Sequence, residues 1–229
     1  MKHKTLILTT LIVFLSFNLK GQEKTEIEAI HKVIVSSGII LQIEKTSEYS
    51  LSLTTQDLGP KCLIKEIENG VLTLKLFNGY GCIGKVTARL GCPSLPSMEI
   101  MGKAEVSTRK LFPGDSLMVK LQSGGQAYLD LDIKYLQVTA TGGSTFYAEG
   151  YADEQDISVS TSASFSGYKL EGEDVKVRAS VSGMAKVCAA DKLEITAGSN
   201  TYVSYTCEPK EVKKDIKANA KVEVASEVE

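Results

Sequence analysis

The chain has no tryptophan and only two histidines in 229 residues. His3 lies in an N-terminal stretch read below as removable, which leaves His31 alone in a charged segment. A Ser-His-Asp triad or a histidine-built metal centre has too few parts here. The five cysteines, Cys62, Cys82, Cys92, Cys188 and Cys207, never form a C-x-x-C pair, so the spacing of a structural zinc site is missing too. No glycine pattern leads from a strand into a helix, which removes the dinucleotide and P-loop readings. Bases do not outnumber acids: 26 Lys and Arg face 28 Asp and Glu. That balance lacks the basic footprint of a nucleic-acid binder. None of these absences points to a cofactor.

One long apolar run exists, and it is at the start. Lys2, His3 and Lys4 precede Leu6 to Phe17 (LILTTLIVFLSF), and Leu19, Lys20 and Gly21 then lead into the polar QEKTE. The run is shorter than the roughly 20 apolar residues of a transmembrane helix. Its layout is that of a secretory peptide cut after Gly21, spanning residues 1–21; an uncleaved anchor is the alternative. No cysteine follows the run to carry a lipid. Cleavage removes Lys2, Lys4 and Lys20 and no acid, so the exported chain becomes more acidic. An exported chain is expected in the periplasm, at the outer membrane surface or outside the cell, with no membrane span left and with disulfides permitted.

What is present is a repeat. VKLQSGGQAYL from Val119, VTATGGSTFYA from Val138, VSTSASFSGYKL from Val159, VRASVSGMAKV from Val177 and ITAGSNTYVSY from Ile195 each join an apolar strand, a small-residue turn and a second strand. Their first residues are 19, 21, 18 and 18 positions apart. A period near twenty with strand-like units predicts a β-solenoid, because one unit cannot bury its apolar face alone. Alternation places Val119, Val138, Val159, Val177 and Ile195 inward and Lys120, Thr139, Ser160, Arg178 and Thr196 outward. Gly124-Gly125, Gly142-Gly143, Gly183 and Gly198 are the expected turns. A unit one period earlier starts at Met98. Upstream, Ile39, Leu41 and Ile43 alternate, Leu51 and Leu53 alternate, and Asn69-Gly70 marks a turn before Leu72, Leu74 and Leu76. FNGYGCIGK, with Gly79, Gly81 and Gly84, is either a protruding loop or a plain turn. Residues 22–32 read as a lead-in, 33–224 as the solenoid and 225–229 as a frayed end, with Lys221–Val224 as a closing strand.

Cys188 and Cys207 are 19 apart, one period, so adjacent rungs can bring them into a disulfide. Cys82 and Cys92 flank a short stretch that could be a hairpin, which would leave Cys62 over. The alternative is five reduced, buried thiols.

The opening VIVSSGIILQIEK, the later LPSMEIMGKAEV, the small-residue rungs and the closing YTCEP together resemble the auto-transporter adhesin, head GIN domain family over about residues 30–224. The resemblance implies a right-handed parallel β-helix-like fold, a direction of crossover that parallel strands favour. It also implies a surface-binding role, and it brings no catalytic residues.

The residues offer few chemical groups to weigh. Tyr128, Tyr147, Tyr151 and Tyr168 recur near one corner of successive rungs, either as a ligand-binding stripe or as packing on the corners. Asp130 and Asp132 share a strand face and could bind calcium or act as a carboxylate pair; more acids follow at Asp153, Glu154 and Asp156. Thr139, Thr141, Ser160, Ser162, Ser180 and Thr196 form a small-polar ladder, interrupted by Lys120 and Arg178, which a solvated sheet face explains. The expectation is an exported, non-enzymatic structural or adhesive module for an envelope or surface component, a glycan or a protein. A polysaccharide lyase or glycosidase on a β-helix is the alternative, and acids converging in one cleft would favour it.

Overall fold

Small residues at a fixed place in each period make a fixed turn, and a fixed turn lets successive laps lie in register. The computed structural model describes residues 24–59, 61–77, 82–217 and 219–225. The segment read as a secretory peptide, Gly79 and Gly81 of the glycine-rich segment, and residues 226–229 lie outside the described residues. The described chain is all strand and turn, with no helix, wound into a β-solenoid of about seven turns.

The first half contributes β1 (Lys24–Glu26), β2 (Lys32–Val35), β3 (Ile40–Lys45), β4 (Ser50–Gln56), β5 (Leu63–Glu68), β6 (Val71–Leu76), β7 (Lys85–Cys92), β8 (Ser97–Met101) and β9 (Glu105–Thr108). The second half contributes β10 (Phe112–Gln122), β11 (Gln126–Ala140), β12 (Thr145–Ser160), β13 (Ser164–Glu171), β14 (Asp174–Ser180), β15 (Met184–Cys188), β16 (Lys192–Ala197), β17 (Tyr202–Thr206), β18 (Glu211–Ile216) and β19 (Lys221–Val224). Apart from β1, β4 and β5, the strands pair in parallel, and two main sides result. On the first side β6, β2, β8, β10, β11, β12, β14, β16 and β18 follow one another. On the second side the order is β7, β3, β9, β11, β12, β13, β15, β17 and β19. The long strands β11 and β12 serve both sides because they bend round a corner.

The interior is a set of columns running across the rungs. On the first side Leu72, Val33, Met98, Val119, Val138, Ile157, Val177 and Ile195 lie one on the next, all buried. The expected stack of Val138 on Val159 is therefore corrected: Val138 meets Ile157, and Val159 belongs to the neighbouring column between Ala140 and Ala179. Both Ile157 and Val159 point inward, and a slip of two residues keeps every side chain on its face, so alternation alone cannot choose between them. On the second side Ala88, Leu41, Val106, Ala127, Phe146, Phe165, Ala185 and Val203 make the equivalent column.

The turns between the sides are held by one another. Gly124 N–H donates to Gly142 C=O, Gly143 N–H to Thr161 C=O, and Ser162 N–H to Val181 C=O. Positive φ falls on Ser123, Gly124, Gly142, Gly143, Thr161, Ser162, Val181 and Ser182, not on Gly125, Gly183 or Gly198 as expected. Gly125 and Gly183 are needed for a different reason. A Cβ there would lie 2.4 Å from the Ile100 carbonyl oxygen and 2.5 Å from that of Val159. The same inward place after each turn holds Ala104, Gly125, Ser144, Ala163, Gly183 and Thr201, all small.

The two ends are finished differently. At the N-terminal end β4 pairs antiparallel with β7, β1 with β4, and β5 with β6. The segment 22–32, expected as a lead-in, thus supplies a strand, β1, and Asn69-Gly70 makes the β5–β6 hairpin turn with both residues at positive φ. His31 is exposed, and its ring lies against Gly70. At the other end β18 is exposed along its whole length. Lys214 occupies the core column there, opposite Ile195, and its ammonium donates to Tyr205 Oη at 3.1 Å while lying 4.8 Å from the Tyr205 ring centre. A charge facing inward on an edge strand blocks further stacking. Lys214→Ile is expected to keep the fold and to raise self-association over the parent chain, read as a shift to larger species in sedimentation velocity. Unchanged sedimentation would show that the lysine has no such role.

Two disulfides form. Cys188–Cys207 joins adjacent rungs, with Cα atoms 5.2 Å apart, as the one-period spacing suggests. Cys82 is joined to Cys62, not to Cys92. The hairpin that matters is β5–β6, whose base brings Cys62 beside the chain leaving Phe77. Cys92 is the free thiol, in the core, where burial pushes its pKa up to about 12.

Candidate functional site

With the interior filled by aliphatic and aromatic side chains, the outer faces carry the chemistry. Outward positions on the second side alternate with the core column, so a row of outward residues runs across many rungs. Its middle reads Gln42, Ser107, Tyr128, Tyr147, Ser166, Lys186 and Ser204. Tyr128 and Tyr147 are direct lateral neighbours on β11 and β12. Tyr128 Oη donates to Gln126 Oε1 at 2.9 Å, and Tyr147 Oη donates to Glu149 Oε2 at 3.3 Å. Each hydroxyl is therefore tied to the residue two positions away on its own strand, while Tyr128 stays 40% exposed. Partial burial, then the Glu149 carboxylate, raises the Tyr147 pKa.

Tyr168 follows Ser166 on the same face by alternation and sits at an irregularity. The β12–β13 register shifts between Tyr147 and Glu149, which gives β13 one residue more than its neighbour. Tyr168 Oη then hydrogen-bonds Ser204 Oγ at 2.5 Å, and Lys186 Nζ lies 5.5 Å from its ring centre. Tyr151 departs from the expected stripe. It pairs with Asp132 and Glu171 beyond the bend of β12, on a third side of the coil. Tyr202 is a tyrosine that the expected stripe leaves out. Val203 and Tyr205 are the inward residues of β17, so Tyr202 is outward, donating to Glu223 Oε1 at 2.5 Å with Lys221 Nζ 5.4 Å from its ring centre. The hydrogen bond to Glu223 is the chief cause of its raised pKa. Strict alternation along TYVSYT would have found it.

Asp130 and Asp132 meet different neighbours. Asp130 is paired in register with Glu149, and Asp132 with Tyr151. Burial, then Glu149, raises the Asp130 pKa, and the Asp130 backbone N–H donates to Thr108 Oγ1 at 2.8 Å. Among the described residues no group of three or more His, Cys, Asp or Glu could hold a metal ion.

Four further acids, Glu154, Asp156, Asp174 and Glu194, line a cleft of about 220 Å³ on the first side. Two of them are paired with bases. Arg178 grips Asp156 with two hydrogen bonds, at 2.5 and 2.9 Å, and Lys192 Nζ lies 2.7 Å from Glu194. The Lys192 hydrogen bond holds Glu194 below the usual carboxylate range. A general acid needs the opposite shift. The small-polar ladder is broken in the same region. Thr139 stands between Lys120 and Ser158, and Ser158 stands beside Arg178.

Comparison with known proteins agrees with the fold. The family model described as "Putative auto-transporter adhesin, head GIN domain" matches residues 29–209. The fold is similar to crystal structures of a "putative adhesin" from Bacteroides fragilis NCTC 9343 (TM-score 0.78, 14% identity, 89% of this chain and 95% of that one) and of another from Parabacteroides merdae ATCC 43184 (TM-score 0.70, 17% identity, 89% and 95%). A "putative lipid binding protein" from Parabacteroides distasonis ATCC 8503 is also similar (TM-score 0.68, 15% identity, 89% and 96%). No curated protein matches. No helix among the described residues is long and apolar enough to cross a membrane. With the family model spanning most of the solenoid, the chain belongs to the auto-transporter adhesin, head GIN domain family.

Proposed function

We propose that this protein is an exported, non-enzymatic adhesion module that holds a glycan or a protein of the envelope, or of a neighbouring surface, against the outer tyrosine face of its second side. The observation that carries the reading is the lateral pair Tyr128 and Tyr147. Two adjacent rungs carry these tyrosines at paired positions, with each hydroxyl anchored by its own strand. Rings held in place by a rigid sheet lose little entropy on binding, which suits recognition better than reaction. The paired carboxylates of the first side support a role without hydrolysis, and the family name supports adhesion. The relative named for lipid binding offers a second ligand class, but the polar, hydrogen-bonded setting of these tyrosines favours a sugar or a protein surface.

The test is retention of the purified chain on a glycan array and on immobilised envelope fractions. Tyr128→Ala with Tyr147→Ala is expected to weaken retention about thirtyfold, the scale of losing about 2 kcal/mol at an aromatic anchor. Thr139→Ala, on the other side, is expected to leave it unchanged. Equal retention by the tyrosine variant would remove this face from the binding role. New reducing ends released from a polysaccharide by the parent chain would replace the reading with an enzymatic one.

A further inference from the structure

A groove of about 210 Å³ lies near the N-terminal end of the second side, apart from the tyrosine pair. It is assembled from β1, β3, β4 and β7 and the residue after β9. Its outward row runs Lys24, Ser52, Arg89, Gln42, because Lys24 pairs with Ser52, Ser52 with Arg89, and Arg89 with Gln42. In the adjacent row Gly91 lies between Ser50 and Glu44. Gly91 makes the floor: a Cβ there would lie 2.6 Å from Ser50 Oγ and 2.8 Å from Thr46 Oγ1. Among the described residues Lys24, Arg89, Arg109 and Glu44 line the walls, and Arg109 Nη1 meets Glu44 at a long 3.5 Å. Arg89 Nε donates to Gln42 Oε1 at 3.2 Å, which fixes the plane of its guanidinium.

A second observation is independent of charge. Ser52 is 7% exposed, and its hydroxyl has no hydrogen-bond partner. Leu51 beside it is a core residue, so alternation points the Ser52 side chain to the groove. A buried hydroxyl without a partner costs stability, and such groups in folded proteins call for an explanation. A donor hydroxyl between a lysine and an arginine is the arrangement that an oxyanion satisfies, through charge-assisted hydrogen bonds.

We propose that this groove binds an oxyanion, the sulfate, phosphate or carboxylate group of a small or polymeric ligand, with Ser52, Arg89 and Arg109 as its donors. The site does not depend on the tyrosine face. Three strand spacings separate β7 from β11, about 14 Å, so one extended acidic chain could also reach both.

The experiment is a titration of the isotopically labelled full chain followed by amide resonances. Sodium sulfate, sodium phosphate and sodium glucuronate are the probes, and sodium chloride at matched ionic strength is the control. At least one oxyanion is expected to shift Ser52, Gly91 and Arg109 amides along saturating curves, and the strongest probe identifies the oxyanion class. Ser52→Ala and Arg109→Gln are each expected to weaken that binding about tenfold. Ser52→Ala is also expected to melt at the same or a higher temperature than the parent, because it removes an unsatisfied buried group; that separates lost binding from lost fold. Shifts matched by chloride, or equal affinities in both variants, would overturn the site. Because the probes do not require the tyrosines, failure here leaves the adhesion reading standing, and failure of the tyrosine variant leaves this site standing.

Discussion

Phe146→Ala is expected to destabilise the solenoid by about 3–5 kcal/mol, the range for emptying a fully buried aromatic site. Phe146 is fully buried and stacks on Phe165 with ring centres 5.1 Å apart and planes 6° from parallel. The column around the pair cannot collapse into the space. Its next members on either side are Ala127 and Ala185, which have no atoms to extend. Gly167 also abuts the Phe165 ring, since a Cβ there would lie 2.5 Å from Cε1. The double variant with Phe165→Ala is expected to cost less than the sum of the two singles, by about 0.5–1.5 kcal/mol, because the ring–ring contact is lost once. Denaturant titration measures the loss. Hydrogen exchange at β12, β13 and β15 then shows whether it stays local, as a stack of nearest neighbours requires. A cost below about 1 kcal/mol for the single variant would mean that the pair does not anchor the core.

Gly150→Val is expected to prevent assembly of the middle rungs altogether, and Gly150→Ala to cost at least about 3 kcal/mol. Gly150 has φ 101°, a region closed to side chains, at the bend where β12 passes from the second side to the third. It is in register with Leu131 on one side and Leu170 on the other. A Cβ would lie 2.1 Å from the Leu131 carbonyl oxygen. That oxygen belongs to the ladder, so relief requires breaking sheet hydrogen bonds. Gly143→Ala is the matched control. Its φ is 68°, but a Cβ there meets nothing within 4 Å, so only the backbone cost of about 1–2 kcal/mol applies. Soluble yield and thermal melting compare the three. If Gly150→Ala melted with Gly143→Ala, the close approach at the bend would be disproved.

The second half of the fold was legible because each lap repeats one message: inward Val or Ile, small turn, inward residue again. Met98 to Val119 and Val177 to Ile195 are paired as their spacing indicates. The two-residue misplacement of Val159 arose where both choices face inward, and the bulge near Tyr168 lengthens the following lap. The first half was less legible. Hydrophobic alternation announces β3, β4 and β6 but says nothing about which lies beside which. Nor does it reveal that β4 and β5 run antiparallel to the strands they cover.

The same limit applied to the sites. Tyr128 and Tyr147 could be paired from the period. The cationic groove could not, since Lys24, Ser52, Arg89 and Arg109 share no spacing and meet only through the topology. The Cys62–Cys82 bridge was hidden for a similar reason: nearness in sequence favoured Cys82 with Cys92, whereas the hairpin places Cys62 at hand.

The β2–β3 lap is slotted between the β6–β7 lap and the β8–β9 lap, although it precedes both in the chain. Synthesis runs from the N-terminus, so residues 32–45 emerge before either flanking lap exists. They gain one partner only when Cys92 has been made and the other only after Thr108. During that interval an apolar, strand-forming segment waits with open edges, a condition that slows folding and invites pairing with a second nascent chain. The later laps, each laid directly on its predecessor, have no such delay.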